Sequence, residues 1–162
     1  WRPQSDEALE KELYRVLQLV ETDMTIFFRQ LAKLRKQQQS LPQFLDETLV
    51  LAYYSPQDLG GPHRADILAW LSAYQQRIVD DPQSDEERQT AMNAVNPHFV
   101  LRNYLAQLAI DRAEQGDGSL VYKLLDILRS PYEEKPELSE FAQKRPEWAR
   151  HRPGCSMLSC SS

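Results

Sequence analysis

The stretch LYRVLQLVETDMTIFFRQLAKL, residues 13–34, decides the fold class. Leu13, Leu17, Val20, Met24, Phe27, Leu31 and Leu34 recur at alternating intervals of four and three. Wound at 3.6 residues per turn they share one face, whereas on a strand they would scatter over both. Leu9, Val16 and Phe28 widen the seam to the breadth of a bundle face. The pattern predicts one long helix from Asp6 to Gln38, with the seam either turned into the core or offered to a partner as a coiled-coil face. Lys33, Arg35 and Lys36 at its end complement the negative helix terminus.

The same periodicity and its punctuation extend outward from this seam. A short helix is expected over Gln43–Tyr53, ended by Pro56. A longer one is expected over Arg64–Val79, with Ile67, Leu68, Leu71, Tyr74 and Ile78 facing inward and the Asp80–Asp81–Pro82 run as its stop. Ser84 and Glu87 are spaced as a capping box, which starts a helix running to about Val95. Asn96 and Pro97 suit an N-cap and a first helical position, with Leu101, Tyr104, Leu105 and Leu108 following on one face. Gly116 fits the left-handed position past a helix end. Ser119 can cap a further helix carrying Leu120, Val121, Leu124, Leu125 and Leu128 inward until Pro131 closes it. EKPELSEFAQKRP, residues 134–146, holds a last turn or two, and from Arg145 onward an extended tail is expected, pinned by Trp148. The reading is an all-α, irregular helical bundle of five to seven helices over residues 1–144, with an extended C-terminal tail over 145–162.

Composition limits what such a bundle does. The chain has 162 residues, 41% of them hydrophobic, enough for one domain with a real core. Its net charge of −5 argues against nonspecific nucleic-acid binding, which requires basic residues to displace counterions. No apolar run approaches a membrane span, so neither nucleic acid nor membrane is expected as a partner. The chain begins at Trp1 rather than at Met, as a fragment or a processed product would.

Motif by motif, local chemistry is sparse. With five glycines there is no G-x-G-x-x-G and no G-x-x-x-x-G-K-[ST], so no glycine-rich backbone can cradle a phosphate. HRAD, residues 63–66, lacks the spacing of a kinase catalytic loop and reads as a loop entering a helix. GDG, residues 116–118, reads as a turn. The acidic groups Asp85, Glu86 and Glu87 suit a helix's opening turn, and Glu133 and Glu134 a solvated loop. Cys155 and Cys160 stand five residues apart, and the histidines His63, His98 and His151 do not complete a zinc-ligand pattern with them. No lysine or arginine lies within seven positions of Cys160, so its activation must come from a partner in three dimensions. Three readings of the two thiols stay open at this point: an inert tail, a pair that cycles between Cys155 and Cys160, and a thiol meant for a distant sulfur.

Four motifs in succession, MNAVNPHFVLRNYLAQLAI (92–110), LLDILRSPY (124–132), PEWA (146–149) and SCSS (159–162), give the chain a specific resemblance to the C-terminal third of the selenoprotein O family. The resemblance implies a kinase-like fold that binds ATP in a reversed orientation and, with a divalent metal such as Mg, transfers AMP to hydroxyl side chains of proteins. It places the ATP-binding and metal-binding residues upstream, so no catalytic, metal or cofactor residue is carried onto this chain, and this segment alone is expected to be inactive. The implied partners are that upstream kinase-like lobe and protein substrates, in a cytoplasmic setting or, in a eukaryote, a mitochondrial one. Some relatives carry selenocysteine where this chain has Cys160, just before the last two serines. The resemblance therefore marks Cys160 as a redox residue, pairing with a cysteine of the catalytic core to regulate activity, with Cys155 as a second candidate. The competing reading is an autonomous helical interaction module without a catalytic role.

Overall fold

The computed structural model of the chain describes residues 3–37 and 40–155, the side chains of 3–5 apart. Among the described residues the fold is all-α, with one isolated antiparallel bridge between Thr22 and Tyr53. The chain divides into two compact units, Trp1–Asn93 and Ala94–Ser162.

In the first unit the expected long helix is two. Helix α1 spans Pro3–Leu17 and α2 spans Met24–Leu31. Asp23 makes the break: its carboxylate accepts from the Ile26 N–H at 3.0 Å as the N-cap of α2, and its own N–H donates to the Ala52 carbonyl at 2.7 Å. Those two bonds satisfy backbone groups that a continuous helix would have paired internally. The seam survives the break in part. Val20, Phe27, Leu31 and Leu34 are buried with Val16, and Leu13 and Leu17 pack partly against them. Met24 is 43% exposed because the turn rotates it out of register. The seam is thus spent inside its own unit, which leaves no continuous coiled-coil face.

Helix α3 covers Leu41–Glu47 and passes into a 3₁₀ turn, Leu49–Ala52, in place of one helix to Tyr53. That turn lies against α2. Helix α4 spans Arg64–Val79, as its periodicity predicts, and runs antiparallel to α1. The Arg15–Asp66 pair, the bond from Trp70 Nε1 to the Leu9 carbonyl and the Arg77–Asp6 pair follow one another in opposite chain order along the two helices. Trp70 also stacks on Tyr74 at 5.2 Å between ring centroids and meets Phe27 at 6.2 Å. Helix α5, Asp85–Val95, opens with the predicted capping box: Glu87 N–H donates to Ser84 Oγ at 3.1 Å, and Ser84 N–H to the Glu87 carboxylate at 2.8 Å. Its buried Arg88 donates to the Leu34 carbonyl, while Asp85 accepts from the Lys36 N–H at 3.2 Å. Lys36 does not serve its own helix end. Its ammonium reaches the carbonyls of Asp81 and Gln83, beyond the end of α4.

In the second unit the helix expected at Pro97 begins later. Helix α6 spans Asn103–Glu114, and residues 96–102 are non-helical. The N–H groups of His98 and Phe99 both donate to the Pro131 carbonyl, at 2.7 and 2.9 Å, and Phe99 is buried. The tertiary bond wins over the local Asn–Pro start signal and leaves Leu101 half exposed. Gly116 takes φ +88°, the left-handed turn between α6 and α7, Ser119–Leu128. Ser119 is the first helical residue rather than the cap, and its N–H donates to the Asp117 carboxylate at 3.0 Å. Leu120, Leu124 and Ile127 of α7 are buried, whereas Val121 and Leu125 are exposed.

Residues 145–155 do not run as extended chain. After a 3₁₀ turn at Pro136–Ala142, a second at Glu147–Ala149 and bends beyond it bring Ala149 and Cys155 into the same apolar cluster as Phe99, Leu105 and Leu124. Residues 156–162, Cys160 among them, lie outside the described residues.

Phe27 and Met24 lie three residues apart on α2 with opposite surroundings, which makes them a sharp pair. Phe27→Ala should destabilise the chain by about 3–5 kcal/mol through lost burial and the cavity left behind. Met24→Lys should fall within about 0.5 kcal/mol of the parent. Urea unfolding followed by circular dichroism reads both.

Candidate functional site

The two thiols are the sequence-predicted site residues of the chain, and the structure describes one of them. Cys155 is buried at 1% exposure and free. Cys160 lies among the residues not described.

What holds Cys155 is built on α6. Gln107 and Asp111 are four residues apart and so share a face. Gln107 Nε2 donates to Asp111 Oδ1 at 2.9 Å, and Asp111 Oδ2 accepts from the guanidinium of Arg152. Arg152 lies over the Trp148 ring at 5.9 Å, and Trp148 meets Tyr104 of α6 edge-on at 6.2 Å. A planar guanidinium suits both contacts, accepting a carboxylate in its plane and an aromatic ring on its face. The Cys155 N–H donates back to the Arg152 carbonyl at 3.1 Å, turning the thiol inward. Gly154 makes that turn at φ +82°, directly beneath Gln107: a Cβ there would overlap Gln107 Oε1 and lie 3.1 Å from its Cδ. Trp148, expected to pin the segment, is half exposed, and the fully buried residue is Ala149.

The Asp111 carboxyl is held below the ordinary carboxylate range, first by the hydrogen bond from Gln107 and then by that from Arg152. Sequence reasoning passed over Gln107, Asp111, Arg152 and Gly154. The one local signal was the Pro153–Gly154 dipeptide, a turn marker. The Asp111–Arg152 pairing spans 41 positions and leaves no trace in local spacing.

The other candidates are structural. Arg64 of HRAD grips Asp46 through both guanidinium nitrogens at 2.7 and 2.8 Å, and Asp66 pairs with Arg15. Asp85 pairs with Arg88, and Glu133 with Lys135. Among the described residues no three His, Cys, Asp or Glu side chains converge on a metal position. With no glycine-rich loop in the sequence either, the side chains described do not fit a magnesium–ATP group. No described helix is long and apolar enough to cross a membrane.

The described features of this all-helical chain are apolar cores, helix caps and a docked cysteine segment, and its sequence relatives are named protein nucleotidyltransferases. The protein nucleotidyltransferase YdiU of Rhodopirellula baltica is 48% identical over the whole of this chain, which covers 32% of that relative. The YdiU of Aromatoleum aromaticum is 48% identical over 97% of the chain and 29% of its own length, and that of Tolumonas auensis 46% over 100% and 30%. Residues 2–129 match the model of the family described as protein adenylyltransferase SelO. The chain belongs to that family, and it spans about a third of the length of these curated relatives.

Two tests address the dock. Gly154→Ala should destabilise the chain by about 1–2 kcal/mol from the left-handed backbone alone, with a further increment from the Gln107 overlap. Adding Gln107→Ala should return only that increment, as a double-mutant cycle on urea midpoints will measure. Because the folded-state pKa of Asp111 is lowered, its contribution is complete above the unfolded carboxylate range and is lost as pH falls through the folded value. Wild type should therefore exceed Asp111→Asn in stability at neutral pH, and the two unfolding midpoints should converge on acidification.

Proposed function

We propose that this chain is the C-terminal helical portion of a protein adenylyltransferase, an enzyme moving AMP from ATP to hydroxyl side chains of proteins in the cytoplasm. Its helices support a kinase-like catalytic lobe of the same protein, and its end carries the redox-regulatory thiol Cys160. Family membership over residues 2–129 supports the activity. The observation that carries the division of labour is the dock on α6. It fixes the backbone at Cys155, leaving five residues of chain to deliver Cys160 to a sulfur elsewhere. At up to about 3.6 Å per residue, five residues of chain span at most about 18 Å from that anchor. A disulfide formed at the end of such a tether would restrict the motion of whatever lobe it reaches.

In the full-length protein, AMP transfer to a protein substrate should differ between reducing and oxidising conditions, and Cys160→Ser should abolish that difference while keeping the reduced-state rate. A Cys160→Ser protein that still responds to oxidant in the same way rejects the regulatory role. No AMP transfer by the reduced wild type with ATP and magnesium rejects the activity.

A further inference from the structure

Helix α7 is built unlike α1 and α5. Those two turn charged and polar residues to the solvent, Glu7, Glu10 and Lys11 on α1 and Glu86, Glu87 and Thr90 on α5. On α7 seven of the ten residues are Leu, Ile, Val or Tyr. Three of them, Leu120, Leu124 and Ile127, seat the helix in the core of the second unit. At about 100° per residue, Leu128, Val121, Leu125 and Tyr122 continue around the helix from those three as one unbroken apolar arc. The arc takes up more than half the circumference, and Ser119, Lys123 and Asp126 close it with a narrow polar strip. Val121 is 38% exposed, Leu125 54% and Tyr122 75%.

A helix that is apolar nearly all round belongs in the interior of a larger protein, and apolar patches left on a surface mark contacts. We infer that the Val121–Tyr122–Leu125 face of α7 is an internal interface, covered in the full-length protein by an apolar surface of the part that lies outside this chain. The length of that part supports it as the occupant. This chain covers 32% of the Rhodopirellula baltica relative and 30% of the Tolumonas auensis one, so the larger share of such a protein lies elsewhere. The face falls within residues 2–129, the stretch that the family model matches. The charges beside it are already answered: Lys123 reaches Glu140 at 3.6 Å and lies over the Phe141 ring at 4.7 Å, and Arg129 stands 3.9 Å from Asp126. An apolar occupant therefore strands no lone charge when it excludes water. Tyr122 offers such an occupant an aromatic ring, with a hydroxyl that can stay at the rim.

The size of the face favours the same occupant over a second copy. A ten-residue helix is about 15 Å long. A stable interface between separate molecules buries about 1,200–2,000 Å² in all, more than one face of such a helix provides. Two parts of one polypeptide meet at the high effective concentration that their covalent link sets, and a small apolar contact then suffices. The inference rests on the proposed reading of this chain as one portion of a longer adenylyltransferase, and it assigns the face by which that portion meets the rest.

The test uses the purified full-length protein and the accessibility of Tyr122. Hydroxyl-radical footprinting with peptide mass mapping compares its oxidation in the native and the urea-unfolded protein. The core of an interface packs like a protein interior, so Tyr122 should be oxidised at least about tenfold more slowly in the native protein. Leu125→Lys should restore much of that reactivity with helical circular dichroism unchanged. A photoreactive benzoylphenylalanine in place of Tyr122 should crosslink, within one molecule, to residues outside this chain. Native Tyr122 oxidised at close to the unfolded rate overturns the inference, as it would be if the face were kept for a separate protein. That wild-type result stands even if the Leu125→Lys protein fails to fold. Crosslinks that join two copies, or that stay within this chain, overturn it as well. Neither readout involves AMP transfer. A protected Tyr122 in a protein without that activity rejects the activity and keeps the interface, and a reactive Tyr122 in an active protein rejects the interface alone.

Discussion

Asp23 is the residue on which the first unit turns. It starts α2 through its carboxylate and ties the junction with α1 to Ala52 through its N–H. Without that exchange of bonds α2 would continue the axis of α1. The face carrying Phe27 and Leu31 could then not meet the 3₁₀ turn at Leu49–Ala52 and Trp70 of α4 at once. A helix break inside a hydrophobic seam is tolerable only if the freed backbone groups find partners. Here they find them in a side chain three residues on the N-terminal side and in a loop nearly thirty residues further along. Arg88 repeats the device just past the other end of α2, binding the Leu34 carbonyl, and Lys36 does so beyond the end of α4, binding those of Asp81 and Gln83.

Elements governed by local rules were legible. Helix α4 matched its periodicity to the residue, α5 its capping box, and Gly116 its left-handed turn. The failures share one cause, a distant partner outbidding a local preference. Residues 18–23 carry an unbroken helical pattern, but Glu21 and Asp23 bond to Tyr54 and Ala52, and Thr22 bridges to Tyr53. Asn96–Pro97 is a sound helix start, but the Pro131 carbonyl holds the next two N–H groups in a non-helical segment. Asp23 before Met24 was the one overlooked local clue, an acidic N-cap in mid-pattern. At the site, the motif-bearing end of the chain marked Cys160 and Cys155, and membership of the SelO family bears out the resemblance those motifs carried. The dock on α6 was not legible. Its residues are ordinary surface types, and only folding brings Arg152 to Asp111.

The described region is held together by apolar interiors more than by charge. Its ion pairs sit on the flanks of the packed faces, Arg64 with Asp46, Arg15 with Asp66 and Lys123 with Glu140, where they favour register more than they add stability. The apolar interior of each unit supplies the stability, and side chains cap α2, α3 and α5 at their N-termini.

The placement of Arg152 on the side of α6 has a mechanical meaning. A load applied to the chain beyond Cys155 first meets the buried Cys155 and Ala149 and the guanidinium–carboxylate and aromatic-edge contacts on α6. Peeling contacts one after another takes far less force than shearing them together. The terminal segment is therefore the unit's weak seam under tension, and α6 and α7 behind it are spared.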